Sequence, residues 1–371
     1  MAAVGDGGGA AVTDPDLGAI LAEVNRGEEG AEHLVGASYD TRFTWDYTKG
    51  ARARLDRLYE KAKTSQWNAR TDLPWDTDVD QERLVEQNRL LAQANGMLVD
   101  LSDTALGHWG EEEWLRFGIE SQNWTLSQFL HGEQGALLCT ARIIETVPWI
   151  DAKYYASTQV MDEARHVEVF ARYLDTKLSG HYPVNAHLRA LIDDILADTR
   201  WDMTYLGMQI MVEGLALAAF GFLHDTTTEP LLKQLLRMVM SDEARHVAFG
   251  VLSLQELYAG LSRAELHERK EFAYEAAVRM KDRLAQQEVW ERMGVSARAA
   301  SEVLSRSPER DLFQRMLFAK IVPNCKKLGL LDHGDRWLRD RFTELGVIEL
   351  EDLPDTGEEF EAFQLAAGAS G

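Results

Sequence analysis

Two segments of the chain carry the same five-residue string, and this repeat is the feature that most constrains the fold. The string Asp-Glu-Ala-Arg-His occurs at residues 162–166 and again at residues 242–246. Both copies lie in segments whose apolar residues recur every three to four positions, which predicts α-helix. Residues three apart lie on one face of a helix, so each Glu and the His that follows it point the same way.

Each copy is preceded by another Glu at a fixed distance. Glu133 lies 30 residues before Glu163, and Glu213 lies 30 residues before Glu243. All four stand at positions where the helical pattern expects an apolar residue. Burying four carboxylates without counter-charge is costly, so a packed core that contains them needs cations. Two divalent ions with two neutral imidazoles would balance the charge, and one imidazole per metal among oxygen ligands favours Fe or Mn.

A single Glu-x-x-His motif would be weak evidence, because both residues are common on solvated helices. Here the neighbouring apolar residues place both pairs on core-facing stripes, where unpaired polar groups are expensive. We therefore predict six metal ligands that also form the catalytic centre: Glu133, Glu163, His166, Glu213, Glu243 and His246.

One Glu from each of two helices, with Glu-x-x-His from each of two others, resembles the pattern of ferritin-like di-iron carboxylate proteins. The resemblance covers about residues 123–258 and is greatest to the oxygen-activating branch. That branch includes ribonucleotide reductase small subunits, bacterial multicomponent monooxygenase hydroxylases and arylamine N-oxygenases. The resemblance implies an all-α fold, a ferritin-like four-helix bundle with additional flanking helices, and two iron ions that use O2 as co-substrate. A Mn/Fe pair is the alternative.

The resemblance also implies roles for the other charged residues of the repeat. Asp162 and Asp242 would hydrogen-bond the metal-binding histidines, and Arg165 and Arg245 would brace those aspartates. Partners of this kind fix the imidazole tautomer and tune the metal. The alternative for the arginines is ion pairing with their own aspartates on the outer surface of each helix.

Three positions depart from the named relatives, and the chain matches no single subfamily closely. Phe170 stands where the radical-forming reductase subunits carry a Tyr, and Leu217 stands where the hydroxylases usually have a Thr. Val239 stands where arylamine N-oxygenases have a seventh ligand, a His.

Several side chains on the ligand-bearing faces are candidates for a substrate pocket, although ordinary core packing is the alternative for each. Gln159 lies one turn before Glu163, as Gln209 lies one turn before Glu213. Either amide could line a pocket or be satisfied by backbone groups. The predicted pocket residues are Phe129, Phe170, Gln209, Leu217 and Phe220.

Helical periodicity extends well beyond the repeat and predicts an almost wholly helical chain. We expect a flexible tail at residues 1–20, one helical domain at 21–345 with its metal-binding core at about 112–260, and a C-terminal tail at 346–371. The flanking helices could cover the bundle or form a homodimer interface. The expected helices span about residues 46–65, 82–97, 112–145, 148–179, 185–224, 229–259, 262–293, 309–328 and 336–345.

The composition limits which binding partners and which cellular compartment we expect. The formal net charge of −22 disfavours binding to nucleic acid or to anionic membranes. No run of 18 uninterrupted apolar residues predicts a membrane span, and the N-terminus lacks the features of a signal peptide. Cys139 and Cys325 form no metal-binding or disulfide spacing. We expect a cytoplasmic protein.

The combined expectation is a non-heme di-iron, O2-dependent oxygenase that hydroxylates, N-oxygenates or desaturates a small organic substrate. The sequence contains no dinucleotide-binding fingerprint and no Cys cluster, so an external electron donor such as a ferredoxin or reductase is expected. One alternative is a di-metal oxidase or ferroxidase, Fe/Fe or Mn/Fe, without organic oxygenation. Another is a helical interaction protein whose buried Glu and His residues pair with each other.

Overall fold

The computed structural model describes residues 33–356, and at residues 309–311 it describes the backbone alone. Within this range every regular element is a helix, which confirms the predicted all-α class. The tail expected at residues 1–20 lies outside the described residues, as does most of the tail expected at 346–371. The proposed domain limits remain predictions.

The helices follow one another through mostly short connections. In chain order they are α1 (Ala53–Thr64), α2 (Gln81–Ala94), α3 (Glu111–Thr146), α4 (Ile150–Lys177), α5 (Ala186–Ala197), α6 (Trp201–Tyr205), α7 (Glu213–Thr226), α8 (Pro230–Tyr258), α9 (Arg263–Arg283), α10 (Gln287–Arg292), α11 (Ala297–Leu304), α12 (Pro308–Lys327) and α13 (Trp337–Glu344). A π-helical segment, Leu206–Val212, joins α6 to α7, and a short 3-10 helix, Ile348–Asp352, follows α13.

Two helical hairpins form the bundle. In the first, α3 packs along α4, and in the second, α7 packs along α8. Glu229 begins α8, because its carboxylate accepts hydrogen bonds from the backbone N–H groups of Leu231 and Leu232 at 2.7 and 2.6 Å. Pro230 occupies the first helical position, where its missing N–H costs nothing. In each hairpin, the first helix carries a single predicted Glu ligand and the second carries a Glu-x-x-His motif.

The flanking helices cover the bundle. Helix α1 packs on α4 and α8, α12 packs on α7, and α9 packs on α5 and on the π-helical segment. These contacts merge the apolar side chains of the bundle and its flanks into one large buried cluster. A smaller cluster around Trp290 joins α11 to the start of α3.

The helix expected over residues 185–224 is interrupted, so that prediction was wrong. Helix α5 ends at Ala197, and α6 begins at Trp201. The Asp198 carboxylate accepts from the Arg200 backbone N–H at 2.8 Å and from the Arg200 guanidinium at 2.8 Å, which stabilises extended backbone between the helices. The helix expected over 262–293 also stops early, because Gln286 adopts a left-handed conformation with φ 51°.

The stretch Trp201–Thr226 is long and apolar enough to cross a membrane by length and composition. However, 72% of its most apolar window is buried inside the protein. It also carries Glu213, which faces the bundle interior and is 2% exposed. This is the environment of a core helix.

Candidate metal centre

The structure brings all six predicted ligands together between the four bundle helices. Each of them is buried, with no more than 5% of the residue exposed. Helix α3 supplies Glu133, α4 supplies Glu163 and His166, α7 supplies Glu213, and α8 supplies Glu243 and His246. Glu213 is the first residue after the π-helical segment, where the wider turn sets the direction in which its side chain leaves the helix.

The ligand atoms converge on two places. Position 1 is defined by Glu133, Glu163, His166 and Glu243, and position 2 by Glu163, Glu213 and His246. At position 1, His166 Nδ1 lies 3.2 Å from Glu133 Oε2 and 3.1 Å from Glu243 Oε1. At position 2, His246 Nδ1 lies 3.0 Å from Glu163 Oε1.

Glu163 and Glu243 reach both positions with different oxygens. Glu163 places Oε2 3.5 Å from His166 Nδ1, while its Oε1 faces His246. Glu243 places Oε1 beside His166 and Oε2 3.5 Å from His246 Nδ1. Glu163 and Glu243 would therefore face ions at both positions, whereas Glu133 and Glu213 would each face one of them.

The outer nitrogen of each imidazole faces an aspartate from the other copy of the repeat. His166 Nε2 lies 3.2 Å from Asp242 Oδ2, and His246 Nε2 lies 3.4 Å from Asp162 Oδ2. A carboxylate oxygen can only accept, so Nε2 carries the hydrogen when the imidazole is neutral. The lone pair of Nδ1 then points to the carboxylate cluster, as metal binding requires.

Arg165 and Arg245 hold both aspartates. Arg165 Nη2 donates to Asp162 and, at 3.0 Å, to Asp242, and Arg245 Nη2 donates to the same two carboxylates. The two arginines are 6% and 1% exposed, so these contacts lie in the core. Four charged residues thus form a closed network behind the histidines.

Two further residues in the loop after α1 complete this network, and neither of them was predicted from the sequence. Trp67 Nε1 donates to Asp242 Oδ2 at 2.8 Å. Gln66 Nε2 donates to Asp162 Oδ1 at 3.0 Å, while Gln66 Oε1 accepts from Arg165 at 2.8 Å. Helical periodicity relates only residues that are close in the sequence. It therefore could not predict the contact of Gln66 with Asp162 or that of Trp67 with Asp242.

The electrostatics of the cluster fit bound cations. Burial, followed by repulsion from Glu243, raises the pKa of Glu133 to about 8. Burial and the Glu163 charge raise the pKa of Glu213 well above its usual value. Burial opposes protonation of His166, yet the neighbouring carboxylates prevail and raise its pKa. Without cations, the cluster therefore has to retain protons to limit its negative charge.

The hydrogen bonding supports the same interpretation. Neither oxygen of Glu243, nor Oε2 of Glu213, nor Nδ1 of His246 makes a hydrogen bond to any of the described residues, although all are buried. Atoms bound to one metal at about 2.0–2.2 Å would lie roughly 3 Å apart. The separations between the His nitrogens and the nearest carboxylates have this size. Four carboxylates and two imidazoles therefore fit a pair of divalent cations in donor type, charge and spacing.

The predicted pocket residues separate into two groups. Phe129, Phe170 and Phe220 pack together, with ring centroids 4.7 Å apart for Phe129 and Phe220 and 5.7 Å apart for Phe170 and Phe220. Leu217 is 7% exposed and lies one turn after Glu213 on the helix that carries Phe220. Gln209 lies four residues before Glu213, in the π-helical segment, and packs against Gly250. A Cβ added to Gly250 would come within 2.6 Å of Gln209 Cβ.

Both amide side chains near the ligands are fully buried. Gln159 Nε2 donates to Glu163 Oε1 and Glu213 Oε1, each at 3.0 Å. Within residues 33–356, neither the Nε2 nor the Oε1 atom of Gln209 has a hydrogen-bond partner. Two surface clefts lie elsewhere, one beside Arg52 and Glu256 and one beside His267 and Asp335, and no residue of the centre lines either of them.

Comparison with known proteins gives one family match. The model of the family described as p-aminobenzoate N-oxygenase AurF matches residues 142–329, just over half of the chain. The matched span contains both Glu-x-x-His motifs and Glu213. Val239 occupies the position at which the resemblance places the additional His ligand of arylamine N-oxygenases. Its side chain is fully buried in the apolar core. No curated protein matches the chain significantly.

Similar solved structures are R2-like ligand-binding oxidases. A single-substitution variant with an anaerobically reconstituted Mn/Fe cofactor is 18% identical, with a TM-score of 0.44 over 75% of this chain and 94% of that chain. A form with an aerobically reconstituted metal cofactor after photoconversion is 16% identical, with a TM-score of 0.48 over 75% of this chain and 94% of that chain.

The family match and the buried Glu/His cluster together show an oxygen-activating oxidoreductase with a two-metal cofactor. They also confirm the predicted resemblance to ferritin-like di-iron proteins. Because the family model matches more than half of the chain, the chain belongs to the p-aminobenzoate N-oxygenase AurF family.

Proposed function

We propose that the protein uses O2 to oxygenate a small aromatic amine at its nitrogen. The observation that carries the proposal is the convergence of four buried carboxylates and two imidazoles on two adjacent positions. The family description, which names an N-oxygenase of an aromatic amine, supports this choice among the oxygenation reactions expected from the sequence.

Two iron ions would bind at the centre, with a Mn/Fe pair as the alternative. Glu133, Glu163, His166 and Glu243 would hold the ion at position 1. Glu163, Glu213 and His246, with the second oxygen of Glu243, would hold the ion at position 2. When bound, the metal pair supplies the reduction of O2 and the oxidation of the substrate.

The network behind the histidines keeps the imidazoles ready to bind metal. Burial disfavours a charged Asp242, but its hydrogen bond with His166 and the nearby guanidinium groups prevail and hold its pKa below its usual range. The same balance lowers the pKa of Asp162 beside His246. Both aspartates therefore stay ionised as acceptors for Nε2–H, so that each Nδ1 keeps its lone pair for a metal.

The phenylalanine cluster provides an apolar surface next to the ligands. Phe129 lies one turn before Glu133 on α3, and Phe170 lies one turn after His166 on α4. Edge-to-face and offset contacts between rings are favourable, so an aromatic substrate could pack on this surface. Its apolar character would also exclude water and strengthen electrostatic interactions at the centre.

The proposed reaction needs electrons from outside. Inserting one oxygen atom of O2 into an N–H bond and reducing the other to water consumes two electrons and two protons. We propose a ferredoxin or a reductase as the donor.

We also propose that the protein is located in the cytoplasm. The two cysteines, Cys139 and Cys325, are buried and free, in keeping with a reducing compartment. A homodimer remains a prediction.

The test is single-turnover oxidation by protein loaded anaerobically with Fe(II), then mixed with ¹⁸O2 and an aromatic amine such as p-aminobenzoate. Incorporation of ¹⁸O at nitrogen supports the proposal. Oxidation without incorporation of label would favour the oxidase or ferroxidase alternative. Glu163→Ala and Glu243→Ala should each abolish metal binding and turnover together. The matched control, Glu168→Ala, changes an exposed Glu on the same helix and should leave both intact.

A further inference from the structure

The two halves of the repeat differ at one buried position. Gln159 lies four residues before Glu163, and Val239 lies four residues before Glu243, so the two residues occupy equivalent places. Both are fully buried. One half therefore presents an amide to the centre where the other presents an apolar side chain.

The Gln159 amide touches only one of the two metal positions. Its Nε2 donates to Glu163 Oε1 and to Glu213 Oε1, each at 3.0 Å. Glu163 Oε1 is also the oxygen that lies 3.0 Å from His246 Nδ1. Gln159 thus contacts the carboxylates of position 2.

This contact limits what Glu213 can offer. Its Oε1 accepts from Gln159, while its Oε2 has no hydrogen-bond partner in the part of the chain that the structure describes. At position 1, the equivalent residue is Glu133, whose Oε2 faces His166 Nδ1, and the equivalent of Gln159 is the apolar Val239. Glu243 also lies nearer to position 1, since its Oε1 is 3.1 Å from His166 Nδ1, whereas its Oε2 is 3.5 Å from His246 Nδ1 at position 2.

We propose that Gln159 is a positioning residue that makes the two metal positions unequal. By holding Glu213 through Oε1, it leaves one oxygen of Glu213 for the metal. By donating to Glu163 Oε1, it withdraws electron density from an oxygen that faces position 2. A hydrogen bond to an ionised acceptor is among the stronger ones, so the effect on ligand strength is substantial. Position 2 then binds its ion more weakly than position 1 and fills second. The inference rests on the proposed metal centre.

The experiment is a titration of metal-free protein with Mn(II), followed by electron paramagnetic resonance of free and bound Mn(II). Residues that orient metal ligands typically change affinity by about 10–100-fold. We expect two binding steps in the wild-type protein, separated by at least about 10-fold in Kd. Gln159→Val copies the other half of the repeat, so the two steps should merge and the spectrum of the half-loaded protein should change.

The reciprocal variant tests the same idea from the other side. Val239→Gln should place an amide beside position 1 and weaken the first binding step. The double swap, Gln159→Val with Val239→Gln, should restore two unequal steps. Far-ultraviolet circular dichroism of each variant reports whether it remains folded. If one single variant does not fold, the other still tests the inference.

The outcomes separate this inference from the proposed function. Two equal steps in the wild-type protein, or two steps whose separation is unchanged in Gln159→Val, would overturn the role of Gln159 while leaving the metal centre intact. A wild-type protein that binds no Mn(II) and no Fe(II) would instead remove the proposed centre itself.

Discussion

Trp67 donates a 2.8 Å hydrogen bond to Asp242 Oδ2, the same oxygen that lies 3.2 Å from His166 Nε2. This hydrogen bond ties Trp67, in the loop after α1, to the centre of the bundle. The Arg165 guanidinium lies 4.7 Å above the Trp67 ring and donates to the same oxygen at 3.0 Å. One loop residue therefore helps to orient a candidate metal ligand.

Trp67→Phe should keep the ring above Arg165 but lose the hydrogen bond to Asp242. A hydrogen bond to a charged group contributes about 1.5–3 kcal/mol, so we expect the free energy of unfolding in urea to fall by about that amount. Trp75→Phe is the matched control, because Trp75 also stacks with an arginine, Arg172, but donates to a neutral carbonyl, that of Ala69. An equal loss in both variants would contradict a special contribution of the Asp242 contact.

Asp242→Asn should weaken metal binding at position 1. Asparagine can present an N–H to His166 Nε2 and no longer favours the tautomer whose Nδ1 lone pair faces the carboxylates. We expect a loss of about 10–100-fold in Fe(II) or Mn(II) affinity, measured by equilibrium dialysis. Asp225→Asn is the control, since Asp225 pairs with His224 at 3.1 Å on the surface. Unchanged affinity in Asp242→Asn would show that the tautomer is set by other groups.

Gly250→Ala should disturb the π-helical segment that precedes Glu213. The new Cβ would lie 2.6 Å from Gln209 Cβ and 3.3 Å from Ile210 Cδ1, both in the π-helical segment. Overpacking of this kind costs about 1–3 kcal/mol of stability, which thermal and urea unfolding would measure. In Gly221→Ala the nearest atom, Met240 Cε, is at 3.6 Å, so that control should be neutral or stabilising. Equal stability of both variants would show that the π-helical segment can shift to accommodate the added methyl group at little cost in free energy.

The metal-free protein should lose stability as the pH rises from about 5 to 8. The pKa of Glu133 is about 8 in the folded protein because burial and Glu243 disfavour its charge. A carboxyl group whose pKa is raised on folding stabilises the protein fully below its unfolded value, about 4.3, and this contribution is lost as the pH approaches 8. The raised pKa values of Glu213, His166 and His246 act in the same direction.

Urea unfolding at several pH values, with and without Mn(II), would measure this dependence. Glu133→Gln should flatten it, since the amide does not titrate. Metal binding should release protons into a weakly buffered solution below pH 8 and should become tighter as the pH rises. Metal-free stability that increases between pH 5 and 8 would contradict the assignment.

Arg283→Met should leave the protein equally stable or make it more stable. Burial lowers the pKa of Arg283 to about 10, its Nε has no partner, and its Nη1 contacts the sulfur of Met280. Arg283 forms no ion pair with the described residues, although the Glu288 charge favours its protonated form, so an apolar replacement removes a poorly compensated buried charge. Arg269→Met is the contrast, because Arg269 donates to both oxygens of buried Asp202 and its loss should cost about 3–5 kcal/mol. Urea unfolding would show whether the two variants differ in sign.

Those parts of the centre that follow from helical spacing could be predicted from sequence. The pairs Glu163 with His166 and Glu243 with His246 follow from three-residue steps on a helix. Glu133 and Glu213 were identifiable because a carboxylate at a core-facing position needs a buried counter-charge. The contacts of Arg165 and Arg245 with both aspartates came from the resemblance to a family, since spacing alone allowed surface ion pairs.

The contacts that depend on tertiary packing could not be predicted in this way. Trp67 and Asp242 are 175 residues apart, and only the path of the loop brings them together. The break between α5 and α6 depends on side-chain hydrogen bonds of Asp198 within an otherwise helical pattern. The Gln159 amide was recognised as a pocket candidate, but its contact with Glu213 requires the mutual orientation of two helical hairpins.

The π-helical segment before Glu213 rotates the helix that follows it, about the helix axis, relative to the helix that precedes it. An α-helix advances about 100° per residue, so one extra residue within a turn offsets everything upstream by that angle relative to everything downstream. Trp201–Tyr205 and Glu213–Thr226 can therefore each meet their own packing partners while remaining parts of one continuous rod. Deleting a single residue from Leu206–Val212 would force these two ends to compete, and either Glu213 would turn away from the metal positions or Tyr205 would leave its place beside Phe249.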